Sequence, residues 1–213
     1  DCVGCGLLCY FCWVREDVRN IPAGIGKFYP PNKVSEILMS IAREKSFRQL
    51  RVSGGEPTIG KLHLLQLLDN LQGRGYKFIL ETCGLLIGYD PVYANDLSQY
   101  PFIHVRVSLK GCNEEEFSML TGAEPQGFQL QLKALKNLEK ANVPYHAACM
   151  VSFSPKETRK DLLTKLQEIN PRLVDDFEVE ELILYSSVRR RIKQAGLRYY
   201  SAYSPRGVPK ELI

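Results

Sequence analysis

Short apolar runs alternate with amphipathic segments along most of the chain, and that alternation limits the fold more than any other feature. Gln49-Leu50-Arg51-Val52-Ser53 reads as a strand, as do 77–82, 102–109, 143–151 and 177–184. Val34, Ile37, Leu38, Ile41 and Ala42 recur at helical spacing over about 32–45. Leu62, Leu65, Leu68 and Leu71 mark a second helix, ended by Gly73 and Gly75, and further helices are expected at 90–98, 127–141 and 155–169. Strands separated by helices argue for parallel βα units, because a parallel partner is reached only through a crossover. Residues 13–30 carry Pro22, Gly24, Gly26 and Pro30 without a period and read as an extended loop.

The strand at 102–110 has a clean alternation. Ile103, Val105, Val107 and Leu109 share one face, and His104, Arg106, Ser108 and Lys110 share the other. The apolar face should pack under helices and the polar face should line an interior. Lys110 then stands at the C-terminal mouth, where βα folds hold their reactive residues.

A chain of 213 residues, 45% hydrophobic, is read as one domain over 1–213. It divides into a cysteine loop and extended segment (1–30), βα repeats (31–184) and a basic C-terminal segment (185–213). A net charge of +4 is too weak to indicate nucleic-acid binding by itself. No long apolar run suggests a membrane span. Of seven cysteines, four fall within the first twelve residues, which favours metal or thiol chemistry in a reducing cytoplasm over a disulfide framework.

Those cysteines include Cys5-x3-Cys9-x2-Cys12. A [4Fe–4S] cluster held by four cysteines only carries electrons, whereas three thiolates leave one iron free for an external ligand. With Cys2 added, the four thiols also read as a closed zinc site. Joined to the basic tail, that set would make a zinc-stabilised RNA-binding module. Zinc sites normally gather two separated pairs, and zinc explains neither Phe11 nor the later Gly54-Gly55-Glu56-Pro57.

The triplet and Gly54-Gly55-Glu56-Pro57 together resemble the radical S-adenosylmethionine enzymes. The resemblance implies an α/β fold, an open (βα)6 partial TIM barrel whose first strand would precede Cys5 and is expected to lie upstream of this sequence. It implies a [4Fe–4S] cluster on Cys5, Cys9 and Cys12 and S-adenosylmethionine as second cofactor, with reductive cleavage to a 5′-deoxyadenosyl radical that abstracts hydrogen from a substrate. Phe11 would lie beside the adenine, Glu56 would accept from the amino group and, by the finer resemblance that follows, Lys110 would meet the carboxylate. Ser53, Gly54, Gly55 and Ser108 complete the implied cofactor contacts, the glycines because a backbone without Cβ approaches a ligand closely. A reducing partner such as flavodoxin or ferredoxin is implied as well.

A finer resemblance runs through the middle of the chain. Glu81-Thr82-Cys83-Gly84 looks like the Asp-Thr-Asn-Gly of pyruvate formate-lyase activating enzymes, and Val107-Ser108-Leu109-Lys110 looks like their Leu-Asp-Leu-Lys. The stretch 114–122, with Leu120-Thr121-Gly122, is similar to theirs. This implies a protein substrate activated as a glycyl radical. Glu81, Ser108, Ala148 and Ser186 depart from that family's acidic pair, arginine and histidine, so modification of tRNA, a peptide or a small cofactor stands as the alternative.

Cys83 and Cys112 each follow a strand at the reactive end and are candidate hydrogen donors, with inert buried thiols as the alternative. Cys149, among Ala147, Ala148 and Met150, reads as core, His63 as surface, and His104 and His146 as interior polar groups. Arg189-Arg190-Arg191-Ile192-Lys193, Arg198, Arg206 and Lys210, interleaved with Tyr199, Tyr200 and Tyr203, form either a solvated helix or an RNA-contacting patch.

Overall fold

Every strand pairs in parallel with the next one in sequence, as βα units require. A computed structural model of the chain describes residues 2–20 and 22–209. The elements run α1 (Glu16–Asn20), α2 (Pro22–Ile25), α3 (Pro31–Lys45), β1 (Gln49–Val52), a 3-10 turn (Pro57–Gly60), α4 (Lys61–Leu71), β2 (Lys77–Thr82), α5 (Leu85–Tyr89), α6 (Pro91–Leu97), β3 (Ile103–Leu109), α7 (Glu114–Thr121), α8 (Gly127–Lys140), β4 (Tyr145–Met150), α9 (Lys156–Ile169), α10 (Arg172–Asp175), β5 (Glu178–Glu180) and α11 (Ser186–Gln194). The five strands lie in the order β1-β2-β3-β4-β5. The sheet is not closed, and the architecture is an α/β partial barrel. Before β1 in space, Cys2 forms a parallel bridge with Gly54, its N–H donating to the Ser53 carbonyl at 2.7 Å.

Alternation sets the two faces of the sheet. Ile103, Val105, Val107 and Leu109 are buried on the helix side together with Phe78 and Leu80 of β2. Helix α8 covers them with Phe128, Leu132, Leu135 and Leu138, and its Asn137 amide donates to the Ile87 carbonyl at 2.8 Å, tying it to α5. The two helices meet at Gly88, where a Cβ would overlap the Leu130 carbonyl. Gly88→Ala should therefore push α5 from α8 and lower unfolding stability by about 1–3 kcal/mol, read as a urea midpoint shift; an unchanged midpoint would show that the helices slip without penalty.

Several expectations need correction. The stretch 13–30 is not an extended loop throughout, since α1 and α2 fold within it. The strand expected at 177–184 is only Glu178–Glu180, because the chain turns away toward α11 beyond it. In α3, Ala42 faces the core, but Ile37 and Ile41 are 39% and 48% exposed, so the apolar stripe is wider than the buried one. Helix α7, unmarked by apolar periodicity, is set by its ends: Asn113 caps Glu116 N–H at 2.8 Å, and Gly122 closes it in the left-handed conformation. Among the described residues, no helix is long and apolar enough to cross a membrane.

Candidate active site

The three cysteines sit on a loop held from two sides. Leu8 and Tyr10 donate backbone N–H groups to the carbonyls of Thr121 and Leu120 at 3.3 and 3.0 Å, so the end of α7 carries the loop's outer strand. On the other side, Arg191 of α11 donates Nε–H to the Tyr10 carbonyl at 3.1 Å and a second N–H to the Cys12 carbonyl, and its Nη1 reaches Glu16 at 3.4 Å. Val188 and Ile192, at helical spacing around Arg191, anchor this face in a second small core with Leu120, Met150, Phe153 and Leu182. Arg191 is thus buried and spent on the cysteine loop, which removes it from any RNA-facing patch. Arg189 and Arg190 are exposed, and Lys210 lies outside the described residues.

Cys5, Cys9 and Cys12 line one cavity of about 680 Å³. Phe11, Ser53, Gly54, Gly55, Glu56, Ser108 and Lys110, the cofactor contacts expected from sequence, line it too. Cys2 does not: its backbone pairs with Gly54, just past β1. Among the described residues, no three histidine, cysteine or carboxylate groups converge as they would on a single ion. Thiols spread around a cavity suit a cluster, whose irons are separate centres, better than a tetrahedral zinc. Burial pushes the Cys9 thiol up to about 12, and burial also raises Cys5. The Lys110 ammonium and the Arg19 guanidinium oppose that rise at Cys9, so the cavity already holds cations suited to bound thiolates.

Glu56, besides lining the cavity, is engaged by the protein itself. Its carboxylate accepts from Thr58 N–H at 3.1 Å, Thr58 hydroxyl at 2.6 Å, Thr82 hydroxyl at 2.7 Å and Cys83 N–H at 2.7 Å. It caps the 3-10 turn and joins the end of β1 to the end of β2, and it is 6% exposed. The glycines likewise serve the protein itself. A Cβ on Gly55 would strike the Gly4 carbonyl, and Glu56 N–H donates to that same carbonyl at 2.8 Å. Gly54-Gly55-Glu56 therefore lets the segment before the triplet dock against β1. Glu56→Leu strands the Cys83 and Thr58 amides and should cost about 2–4 kcal/mol in urea unfolding, with Glu56→Gln recovering part; equal stability of all three would refute the clasp.

Strand β3 supplies the cavity's charged wall, as its alternation suggested. Arg106 binds Glu178 through Nε and Nη2 at 2.8 and 2.5 Å, and Nη2 also reaches Glu180 at 2.8 Å. Its hydrogen bond from Arg106, and then one from His146, holds the Glu178 carboxyl well below the usual range. His146 Nε2 stands 3.1 Å from Glu178, and its Nδ1 shares a 2.7 Å hydrogen bond with His104 Nε2. Burial works against the Lys110 charge, yet Glu180 and the Cys9, Cys83 and Cys12 thiols together raise its pKa. Lys110 donates to Ser108, whose hydroxyl donates to Glu180 at 2.7 Å, and lies 5.8 Å from the Phe11 ring centroid.

Behind this wall stands Gln131 of α8, fully buried, which sequence reasoning missed. Its amide nitrogen donates to the Cys83 and Ser108 carbonyls at 2.6 and 3.1 Å, while its oxygen accepts Lys110 N–H at 3.1 Å. One side chain thereby fixes the reactive ends of β2 and β3. Its only sequence signal was a polar residue inside an apolar helical stripe.

The two candidate hydrogen-donor thiols separate. Cys83 lines the cavity, and burial pushes its thiol well up. Cys112 does not line it. It packs against Cys149, Sγ to Sγ 3.9 Å, while its N–H donates at 2.7 Å to Glu116, a second buried clasp that also accepts from the Ser154 hydroxyl at 2.5 Å. The reason is the turn after β3, which carries Cys112 past the sheet edge to the helix side. Cys149 is core, as expected.

Comparison with known proteins settles the family. The Radical SAM superfamily matches residues 2–169, well over half the chain. The protein belongs to the radical S-adenosylmethionine superfamily. It is 28% identical over 187 residues to a probable GTP 3′,8-cyclase of Archaeoglobus fulgidus, covering 86% of this chain and 51% of that protein. The corresponding protein of Methanococcus vannielii is 28% identical over 138 residues, 64% of this chain and 41% of its own length. Among solved structures, Streptococcus suis SuiB bound to S-adenosylmethionine superposes with a TM-score of 0.69 at 18% identity, over 95% of this chain and 48% of SuiB. The chain thus spans about half the length of these relatives. They are probable GTP 3′,8-cyclases and SuiB, not the glycyl-radical activases that the finer motif resemblance suggested, and the comparisons do not support that subfamily. The superfamily uses a [4Fe–4S] cluster and S-adenosylmethionine, and Cys5, Cys9, Cys12, Lys110 and the cavity they share fit that pair.

Proposed function

We propose that the chain is a radical S-adenosylmethionine enzyme that abstracts hydrogen from a substrate bound against β5, with Cys5, Cys9 and Cys12 as its cluster ligands. The observation that carries this reading is the convergence of the three thiols, Lys110 and the ends of β1, β2 and β3 on one cavity. When bound and reduced, the cofactors supply a 5′-deoxyadenosyl radical. The chain's own part is to hold them, to orient them and to keep water out with Leu7, Phe11 and Val14. Lys110 has the position and charge to meet a carboxylate, and Phe11 offers an aromatic face beside it.

The far wall bears on the substrate. Glu56, Glu81, Glu178, Glu180 and Glu181 line the cavity against three cations, Arg19, Arg106 and Lys110, and Arg106 is already neutralised by Glu178 and Glu180. Such a wall supports a substrate presenting hydrogen-bond donors or a cation, as a peptide side chain does, over one presenting phosphates here. A nucleotide substrate is the second reading, favoured by the cyclase relatives. Anaerobic reconstitution should yield about four irons and four sulfides per chain and, with dithionite, 5′-deoxyadenosine. A preparation that binds zinc alone and releases no deoxyadenosine refutes the enzyme reading. Conversion of GTP to a cyclised product would favour the second reading over the first.

A further inference from the structure

Arg19 is a buried cation that forms no ion pair within 4.0 Å with any carboxylate among the described residues. It is 4% exposed and lines the cavity of the three thiols, yet its Nε is buried without a hydrogen-bond partner. Arg191, the other arginine of the cysteine loop, has a carbonyl on Nε and Glu16 beside it. Arg19 has only the Cys9 carbonyl, 3.5 Å from Nη1. A buried charge left unpaired is strongly unfavourable, and a chain that keeps one generally supplies its counter-ion by binding something.

The backbone shows what Arg19 serves. Its own carbonyl accepts Cys5 N–H at 3.2 Å, while its side chain reaches the carbonyl of Cys9, so one residue is tied to two of the three cysteines of the triplet. Helix α1, which carries it, is fixed by Val18, whose carbonyl accepts Gly4 N–H at 2.9 Å. The backbone at Arg19 is therefore tied to the loop, and its buried guanidinium is directed to the cavity wall beside Cys9.

We infer that Arg19 is the counter-ion of the thiolate-held cluster, its free Nε–H donating toward that anion and favouring the more negative, reduced state. The inference rests on the proposed function above. An arginine in this place stabilises added negative charge directly, since its charge is buried beside the thiols before reduction occurs.

Arg19→Met and Arg19→Lys, with the parent chain, test it through properties other than turnover. In the parent, cluster loading should raise the urea midpoint. Arg19→Met should leave the metal-free midpoint unchanged or higher, because an unpaired buried charge is gone, and should lose part of the gain on loading. Its cluster should be harder to reduce: at a fixed dithionite poise the reduced-to-oxidised ratio, read by electron paramagnetic resonance, should fall about tenfold, equivalent to about 59 mV for one electron. Arg19→Lys keeps the charge and should stay nearer the parent. If Arg19→Met holds no iron while Arg19→Lys does, the charge requirement is upheld; if neither does, it is refuted. A metal-free Arg19→Met chain that is destabilised as much as the loaded one, or an unchanged reduction ratio at full iron content, overturns the inference and leaves Arg19 as a loop brace. A parent chain that takes up no iron fails the proposed function itself, and this inference falls with it.

Discussion

Cys9→Ala is expected to leave the folded chain almost without iron after anaerobic reconstitution and to reduce deoxyadenosine formation to background. Cys9 is the middle thiol of the triplet and the most buried, at 5% exposure. Its carbonyl accepts Cys12 N–H at 3.2 Å and faces Arg19, so backbone bonds hold the loop even when the thiol is gone. The loss should therefore be of metal rather than of fold, which near-parent far-ultraviolet circular dichroism would confirm. Two thiols cannot replace three, because a second iron of the cluster would then lack a protein ligand, and binding is worth only what the ligands supply. Cys2→Ala is the matched control. It should load iron like the parent, since Cys2 contributes backbone pairing with Gly54 and not a cavity thiol. Iron loss on Cys2→Ala with full loading of Cys9→Ala would reverse the assignment.

Arg106→Met should cost about 3 kcal/mol of unfolding stability at neutral pH, at the lower end for breaking a buried ion pair because Glu178 is partly exposed. The side chain of Arg106 is 13% exposed and those of Glu178 and Glu180 are 46% and 18% exposed, so the carboxylates stranded by the change do not all reach water. Glu81, 3.9 Å from Arg106, would keep Arg51 at 3.4 Å. The pH profile carries the sign. Glu178 is held below its unfolded value by Arg106, so its contribution is present above about pH 4.3, the unfolded carboxyl value. It is lost as pH falls through the lower, folded value. The gap between parent and Arg106→Met in urea midpoint should accordingly be widest at neutral pH and narrow below about pH 4. A gap independent of pH would mean that lost packing, not charge, explains the cost.

How much was legible in the sequence can be judged residue by residue. The polar face of β3 was readable because strand periodicity is local: Arg106, Ser108 and Lys110 must share a side once the segment is extended. The cysteine triplet was readable because its spacing is itself the chemistry. Glu56 was found from its motif but its hydrogen bonds were not, since they join the turn after β1 to the end of β2, which only folding brings together. The activase resemblance misled for a related reason. Thr82 accepts Gly84 N–H at 3.0 Å and donates to Glu56, and Lys110 N–H is held by Gln131, so the similar residues at the ends of β2 and β3 brace the barrel and do not report the substrate.

The basic run at 189–193 shows the other limit. Composition offered a charged surface or an RNA contact, and nothing local separates Arg191 from Arg189 and Arg190. Only the packing of Val188 and Ile192 turns Arg191 inward, toward a loop about 180 residues earlier in the chain.

By itself the sequence determined the βα order of the chain, the side of β3 that faces the cavity and the three thiols, because each follows from spacing along a few residues. The tertiary structure decided which charges those thiols would meet. Arg106, Gln131 and Arg191 acquire their roles from partners far away in the chain, and Arg19 from the way its loop folds back on it. A buried charge or amide is defined by what surrounds it, which no local pattern encodes.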